Sequence, residues 1–317
     1  MSHLRRRRHR IAASACVVLA CLSSLGLSSR RVHAFTYGNL VLTSGPDVRE
    51  YRTDGLPVAT IPVPYPPGLR GATNPLLALA FDVDAQLAVY NGAAAPYLSV
   101  YDAATAGWTH ATLAGWSSPD AGGFGGLAAF GHDVVAGDMA TPGGAENGLV
   151  AFDGDAGYVP RRDLAGFDIA DLAVAPDGSL HALVAGTSLV FVFDPATLTN
   201  TGSVNLEGSL QAIALAPDGT YYGVSGDGFI RRFTAEGASF DTLNTAIPGL
   251  IDVAVGPSGE VAMGTALGEV VLADAELTSA KTFFVGGGAI YVAWVPLHPS
   301  TPATRWTWGR IKDLYRR

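Results

Sequence analysis

DLAVAPDG (residues 171–178), QAIALAPDG (211–219) and IDVAVGPSG (251–259) are three versions of one phrase, and their reading decides the fold. In each, a short apolar run enters a Pro-Asp-Gly or Pro-Ser-Gly reversal. Proline presets φ and glycine accepts positive φ, so the phrase reads as a strand ending in a tight turn. Gly178, Gly219 and Gly259 stand 41 and 40 residues apart. A period near forty, in a chain rich in valine, alanine, glycine and turn residues, is the sequence sign of a β-propeller blade.

Weaker copies flank these three, at LALAFDVDAQL from Leu77, GLAAFGHDVV from Gly126 and IYVAWVPL from Ile290. In register, the six copies share an alanine: Ala80, Ala128, Ala173, Ala214, Ala254 and Ala293. Innermost strands converge on the axis of the ring, where large side chains would collide. Each of the first five phrases is followed by a second strand, as in Leu87–Tyr90 or Val261–Gly264, and by a third, as in LVFVFDPATL from Leu189. Short fourth strands are expected to close on Gly115, Gly166, Gly208 and Gly249, the last through TAIPG. Residues 38–64 hold second, third and fourth strands without an inner one, and Ala289–Pro296 hold an inner strand with nothing after it. Joined, they make one blade. The expected fold is all-β: a six-bladed β-propeller with four antiparallel strands per blade, its last blade closed by the N- and C-terminal strands so that no ring edge is left open.

The inner strand, its Pro-Asp-Gly turn and a third strand ending in Phe-Asp make residues 38–297 resemble the six-bladed propellers of the NHL-repeat and gluconolactonase-like group. The resemblance implies the fold and leaves activity open, because this architecture carries binding scaffolds, lactonases and lyases alike. A lactonase of that group implies Glu, Asn and Asp side chains converging on one divalent cation, Ca²⁺ or Zn²⁺.

The ends of the chain differ from its body. Arg5–Arg8 and Arg10 precede an apolar stretch, Ile11–Leu27, and Val32-His33-Ala34 offers an A-x-A-like site. Residues 1–34 read as a secretory signal cleaved before Phe35, with an uncleaved anchor or acylation at Cys21 as rivals. Both cysteines, Cys16 and Cys21, lie inside that segment, so the cleaved domain, 35–300, must be stable through its core alone. From Phe35 onward 28 acidic residues face 13 basic ones, five of which crowd into Arg305–Arg317. An acidic body without a basic stripe excludes nucleic acid as a partner. Residues 301–317 form a separate basic, aromatic tail in which Trp306, Trp308, Ile311 and Tyr315 are the candidate docking residues, against the propeller itself or an anionic membrane surface.

For chemistry, the informative register lies two residues before each shared alanine, at the start of the inner strand: Ala78, Gly126, Asp171, Ala212, Asp252 and Tyr291. Only Asp171, Asp252 and Tyr291 carry functional groups there. Asp138 and Asn147 flank the longest second-to-third-strand loop, and long loops at a propeller mouth are where specificity resides. His110, His132, His181 and His298 have no metal-ligand spacing, neither G-x-S-x-G nor a phosphate-binding glycine loop is present, and the glycines of Ala121–Gly126 and Gly286–Gly288 read as tight corners between fourth and inner strands. No catalytic residue, metal ligand or cofactor is assigned. The leading expectation is an exported, monomeric, non-catalytic propeller binding an extracellular protein or glycan at the mouth carrying Asp171, Asp252, Tyr291, Asp138 and Asn147. Its alternatives are a metal-dependent lactone or ester hydrolase at the same mouth and a structural surface protein docked through its tail.

Overall fold

The computed structural model describes residues 34–64, 76–92, 97–112, 124–138, 148–164 and 168–296. The expected signal segment up to His33, the loop residue Asn147 and the tail residues Trp306, Trp308, Ile311 and Tyr315 lie outside them. The described residues form six four-stranded antiparallel sheets, without a helix, arranged as the blades of a propeller. Blades 1 to 5 follow the chain, with inner strands Leu76–Phe81, Phe124–Phe130, Ile169–Val174, Ala212–Leu215 and Leu250–Val255. In each, the next three strands are added outward in sequence order. Blade 6 is assembled from both ends: Val292–Trp294 is its inner strand and pairs with Leu40–Ser44, beyond which lie Asp47–Tyr51 and Pro57–Pro62. The closing register sets Leu40 opposite Trp294, Val41 opposite Ala293 and Leu42 opposite Val292.

Six apolar clusters fill six seams between consecutive blades. The two-residue period of a strand makes this division inevitable, since alternate side chains point to opposite faces of the blade. In blade 4, Ile213 and Leu215 enter the seam with blade 3, whereas Ala212 and Ala214 enter the seam with blade 5. The shared alanines all obey this rule. Ala80 packs with Leu127 of the next blade, Ala128 with Leu172, Ala214 with Val253 and Ala293 with Leu79. Their small size therefore suits the narrow inner end of each seam, where the inner strands of neighbouring blades are closest, and not the axis alone.

Two local expectations are corrected. The fourth strand of blade 4 is Ser239–Asn244, and TAIPG is the link to blade 5. There the Thr245 hydroxyl donates to the Gly228 carbonyl at 2.9 Å and the Gly249 N–H to that of Gly226 at 2.8 Å, so the segment folds over a neighbouring turn instead of extending the ladder. Pro248, lacking an N–H, suits such a link. Gly125 and Gly126, expected as a corner before the strand, lie within the inner strand of blade 2, whose register shifts between Phe124 and Leu127. A side chain at Gly125 would overlap the Ile169 carbonyl of blade 3.

Overpacking a seam should be felt throughout the ring. Ala214→Leu is expected to lower unfolding stability by about 1–3 kcal/mol, measured as a shift in the urea midpoint. An unchanged midpoint would show that the seam has spare volume.

Candidate functional site

A cavity of about 640 Å³ runs along the axis of the ring, bounded by the inner strands. The six strands start at the same end, so the register two residues before each shared alanine forms one ring of positions around that mouth. Asp171, Asp252 and Tyr291 all line the cavity, alongside Ala78 and Gly126. Asp138 does not. It ends the second strand of blade 2, opposite Phe124, and is fully buried one strand out from the axis, with its N–H bonded to the Gly148 carbonyl at 2.8 Å. Residues 139–147 of the adjoining loop lie outside the described residues.

The two aspartates perform the same task in two seams. Asp171 Oδ2 accepts the Ile213 N–H of blade 4 at 2.8 Å, and Asp252 Oδ2 accepts the Val292 N–H of blade 6 at 2.6 Å. Each carboxyl thus reaches forward to the inner strand of the next blade, satisfying a backbone donor that faces the axis. The acceptor partners expected from the turn chemistry of aspartate are therefore found across the seam as well as locally. At Gly126 the empty register has a steric cause. A Cβ on Gly126 would come within 2.6 Å of Asp171 Oδ1, and Gly126 has φ +91°, a backbone that other residues adopt only with strain. Tyr291 is held by two bonds to Thr43, one from its own N–H to the threonine hydroxyl at 2.9 Å and one to its carbonyl at 3.0 Å.

Burial dominates the electrostatics of this mouth. It raises the Asp171 carboxyl well above the ordinary range, and the nearby Asp252 charge raises it further against the pull of the Ile213 and Leu172 N–H groups. Burial lifts Asp252 to about 7, opposed by its bonds from Val292 and Val253. Tyr291 is pushed up to about 12 by burial first and then by the two carboxylates. The mouth therefore offers two carboxyls that favour their neutral forms and one protonated phenol.

This donor set does not fit a divalent cation. One oxygen of each carboxylate already accepts a backbone N–H, the phenol stays protonated, and among the described residues no three His, Cys, Asp or Glu side chains converge. The Asp153-Gly-Asp155 run is ordinary turn chemistry: Asp153 Oδ1 accepts the Ala156 N–H at 3.0 Å.

One polar network was missed from the sequence. Ser179 Oγ donates to Asp177 Oδ1 at 2.6 Å and lies 2.9 Å from His181 Nε2, while His181 Nδ1 is 2.6 Å from the Tyr221 hydroxyl. With the serine proton directed to Asp177, Nε2–H donates to Ser179 and Nδ1 accepts from Tyr221. Burial lowers the His181 pKa and raises Tyr221 to about 12, which keeps this chain neutral at its buried end. It fastens the seam between blades 3 and 4 and differs from a nucleophile–base pair, in which the serine proton would face the imidazole. His181 and Tyr221 are 40 residues apart, one blade period, and that spacing was the available signal.

Similarity to known proteins is found among solved structures. No protein-family model matches the chain, and no curated protein sequence does. Among solved structures, a chain of the "Crystal Structure of Mitotic Checkpoint Complex" is similar with a TM-score of 0.53 and 16% identity over 78% of this chain and 74% of that one. The "Structure of Dos1 propeller" is similar with a TM-score of 0.47 and 18% identity, over 80% and 69% of the two chains. The class these observations define is a six-bladed β-propeller with an acidic axial mouth.

Asp171 and Asp252 hold protons more tightly in the folded chain than in the unfolded one, where carboxyls titrate near pH 4. Proton binding therefore favours the fold from about pH 4 up to the raised folded values, and the contribution of these groups to stability falls as pH rises through that window. Replacing both residues by asparagine keeps an acceptor for Ile213 and Val292 while removing the titration. The double variant is expected to lose stability less steeply than the native chain between about pH 4.5 and about pH 7.5, read from urea midpoints. Identical slopes would contradict the burial of these carboxyls.

Proposed function

We propose that this is an exported, monomeric, non-catalytic propeller of the NHL and gluconolactonase-like kind that binds a protein or glycan ligand at the mouth framed by Asp171, Asp252 and Tyr291. The observation that carries the reading is the axial cavity of about 640 Å³, which sits within the range of ligand pockets and is lined by the side chains of Asp171, Asp252 and Tyr291 together with the edges of the inner strands. A protonated phenol, beside carboxyls whose protonated forms burial favours, can donate as well as accept hydrogen bonds, which suits sugar hydroxyls and peptide amides. Both aspartates also hold neighbouring blades together through Ile213 and Val292, a scaffold role that needs no turnover. Export rests on the basic and apolar segment before Phe35.

Asp252 favours a second reading. Its carboxyl titrates at about 7, where a general base works, and a lactone or ester hydrolase would use it against water.

Purified full-length protein should retain binders from a glycan array or a displayed-peptide library, and Tyr291→Ala should weaken them by about tenfold or more. Protein recovered from its source should begin at Phe35 by intact mass. Lactone or ester turnover that disappears in Asp252→Ala would overturn the binding reading in favour of the hydrolase, and an intact residue 1 would overturn cleavage.

A further inference from the structure

The opposite mouth of the ring has a different chemistry. There the inner strands end in Val174, Leu215 and Val255, and the exposed Pro176, Pro217 and Pro257 follow. Together they line an open apolar basin of about 490 Å³, completed by Trp294 and by Pro296, the last described residue of the chain. Two exposed carboxylates, Asp177 and Asp218, directly follow two of these prolines in the chain. Asp177 accepts from the Ser179 hydroxyl and N–H, and Asp218 from the Thr220 N–H, bonds that hold both carboxyls below the usual carboxylate range. The basin is thus an apolar floor with an acidic rim.

From Pro296 the chain continues for 21 residues, Leu297 to Arg317, carrying Trp306, Trp308, Ile311 and Tyr315 with five basic residues against the single acidic Asp313. We propose that this C-terminal segment docks on the proline-lined mouth, setting its aromatic side chains against the apolar floor and its basic ones against the rim. The segment's point of departure, reach, charge and aromatic content select this occupant. The segment departs from the edge of the basin itself. Trp306 is ten residues past Pro296, and at ~3.3–3.6 Å per extended residue that length reaches any part of the basin. Its charge is opposite to that of the rim, and its aromatic content supplies the apolar area that a proline floor would cover.

Val174, Leu215, Val255, Trp294 and Pro296 border both the basin and the axial cavity. This inference does not depend on what the mouth at Asp171, Asp252 and Tyr291 binds.

Hydrogen exchange read by mass spectrometry on the full chain tests it. Amides of residues 303–317 are expected to exchange about tenfold or more slowly than an open chain. Asp177→Lys combined with Asp218→Lys should abolish that protection while the inner strands of blades 3 and 4 keep theirs. Trp306→Ala with Trp308→Ala, which leaves the ring untouched, should abolish it too, and high salt should weaken it. Open-chain exchange of the native tail would overturn the proposal. So would protection that survives both double variants, protection that grows with protein concentration and so assigns the mouth to a second copy, or slow exchange at residues 1–33 with an open tail, which assigns it to the other end of the chain.

Discussion

Three residues close the ring. Val292–Trp294 form the inner strand of blade 6 by pairing with Leu40–Ser44, and the remaining strands of that blade come from the beginning of the domain. A propeller buries its apolar surface in seams between blades, so a ring left open would expose the facing sides of two blades at once. Closure is reinforced from blade 5. Asp252 accepts the Val292 N–H, and the Trp294 indole N–H donates to the Ala254 carbonyl at 3.0 Å. The same indole lies against Gly256, where a Cβ would come within 2.9 Å of it, so glycine stands there while blades 3 and 4 have Ala175 and Ala216.

The candidate mouth follows from the same constraint. Each inner strand needs acceptors for backbone donors that face the axis, and in two seams an aspartate supplies them. Burial then raises both carboxyls, and the Gly126 conformation leaves room for Asp171 Oδ1. The groups available for recognition at this mouth are thus the groups that hold the ring together. Exchanging them alters stability, which is why variants there have to be read against unfolding midpoints.

Most of the architecture was legible because the blade repeat writes itself into the chain. Six alanines in one register and the complementary strand content of residues 38–64 and 289–296 carry the blade count and its closure. The failures were local. TAIPG ends on glycine like other fourth strands, yet Pro248 and the hydroxyl of Thr245 turn it over a neighbouring loop, a tertiary bond invisible to strand pattern. Gly125 and Gly126 looked like a corner because two glycines suggest a turn, whereas here they permit a close approach to Ile169 and Asp171. At the site, the register pointed to Asp171, Asp252 and Tyr291, whose side chains line the axial cavity. It did not show that the aspartates bond across seams, because their donors, Ile213 and Val292, stand one period away in chains of similar residues. Asp138 was misjudged for a related reason: proximity to a long loop says nothing about which strand of the blade faces the axis.

Closure is tested most directly by Val292→Pro, which removes the N–H that Asp252 accepts and breaks the three-residue pairing. Hydrogen exchange should then show lost protection in the inner strands of all six blades, including Ile169–Val174 on the far side of the ring, together with a lower urea midpoint. Lost protection confined to residues 38–64 and 290–296, with blades 1 to 5 unchanged, would contradict a ring whose stability depends on that strand.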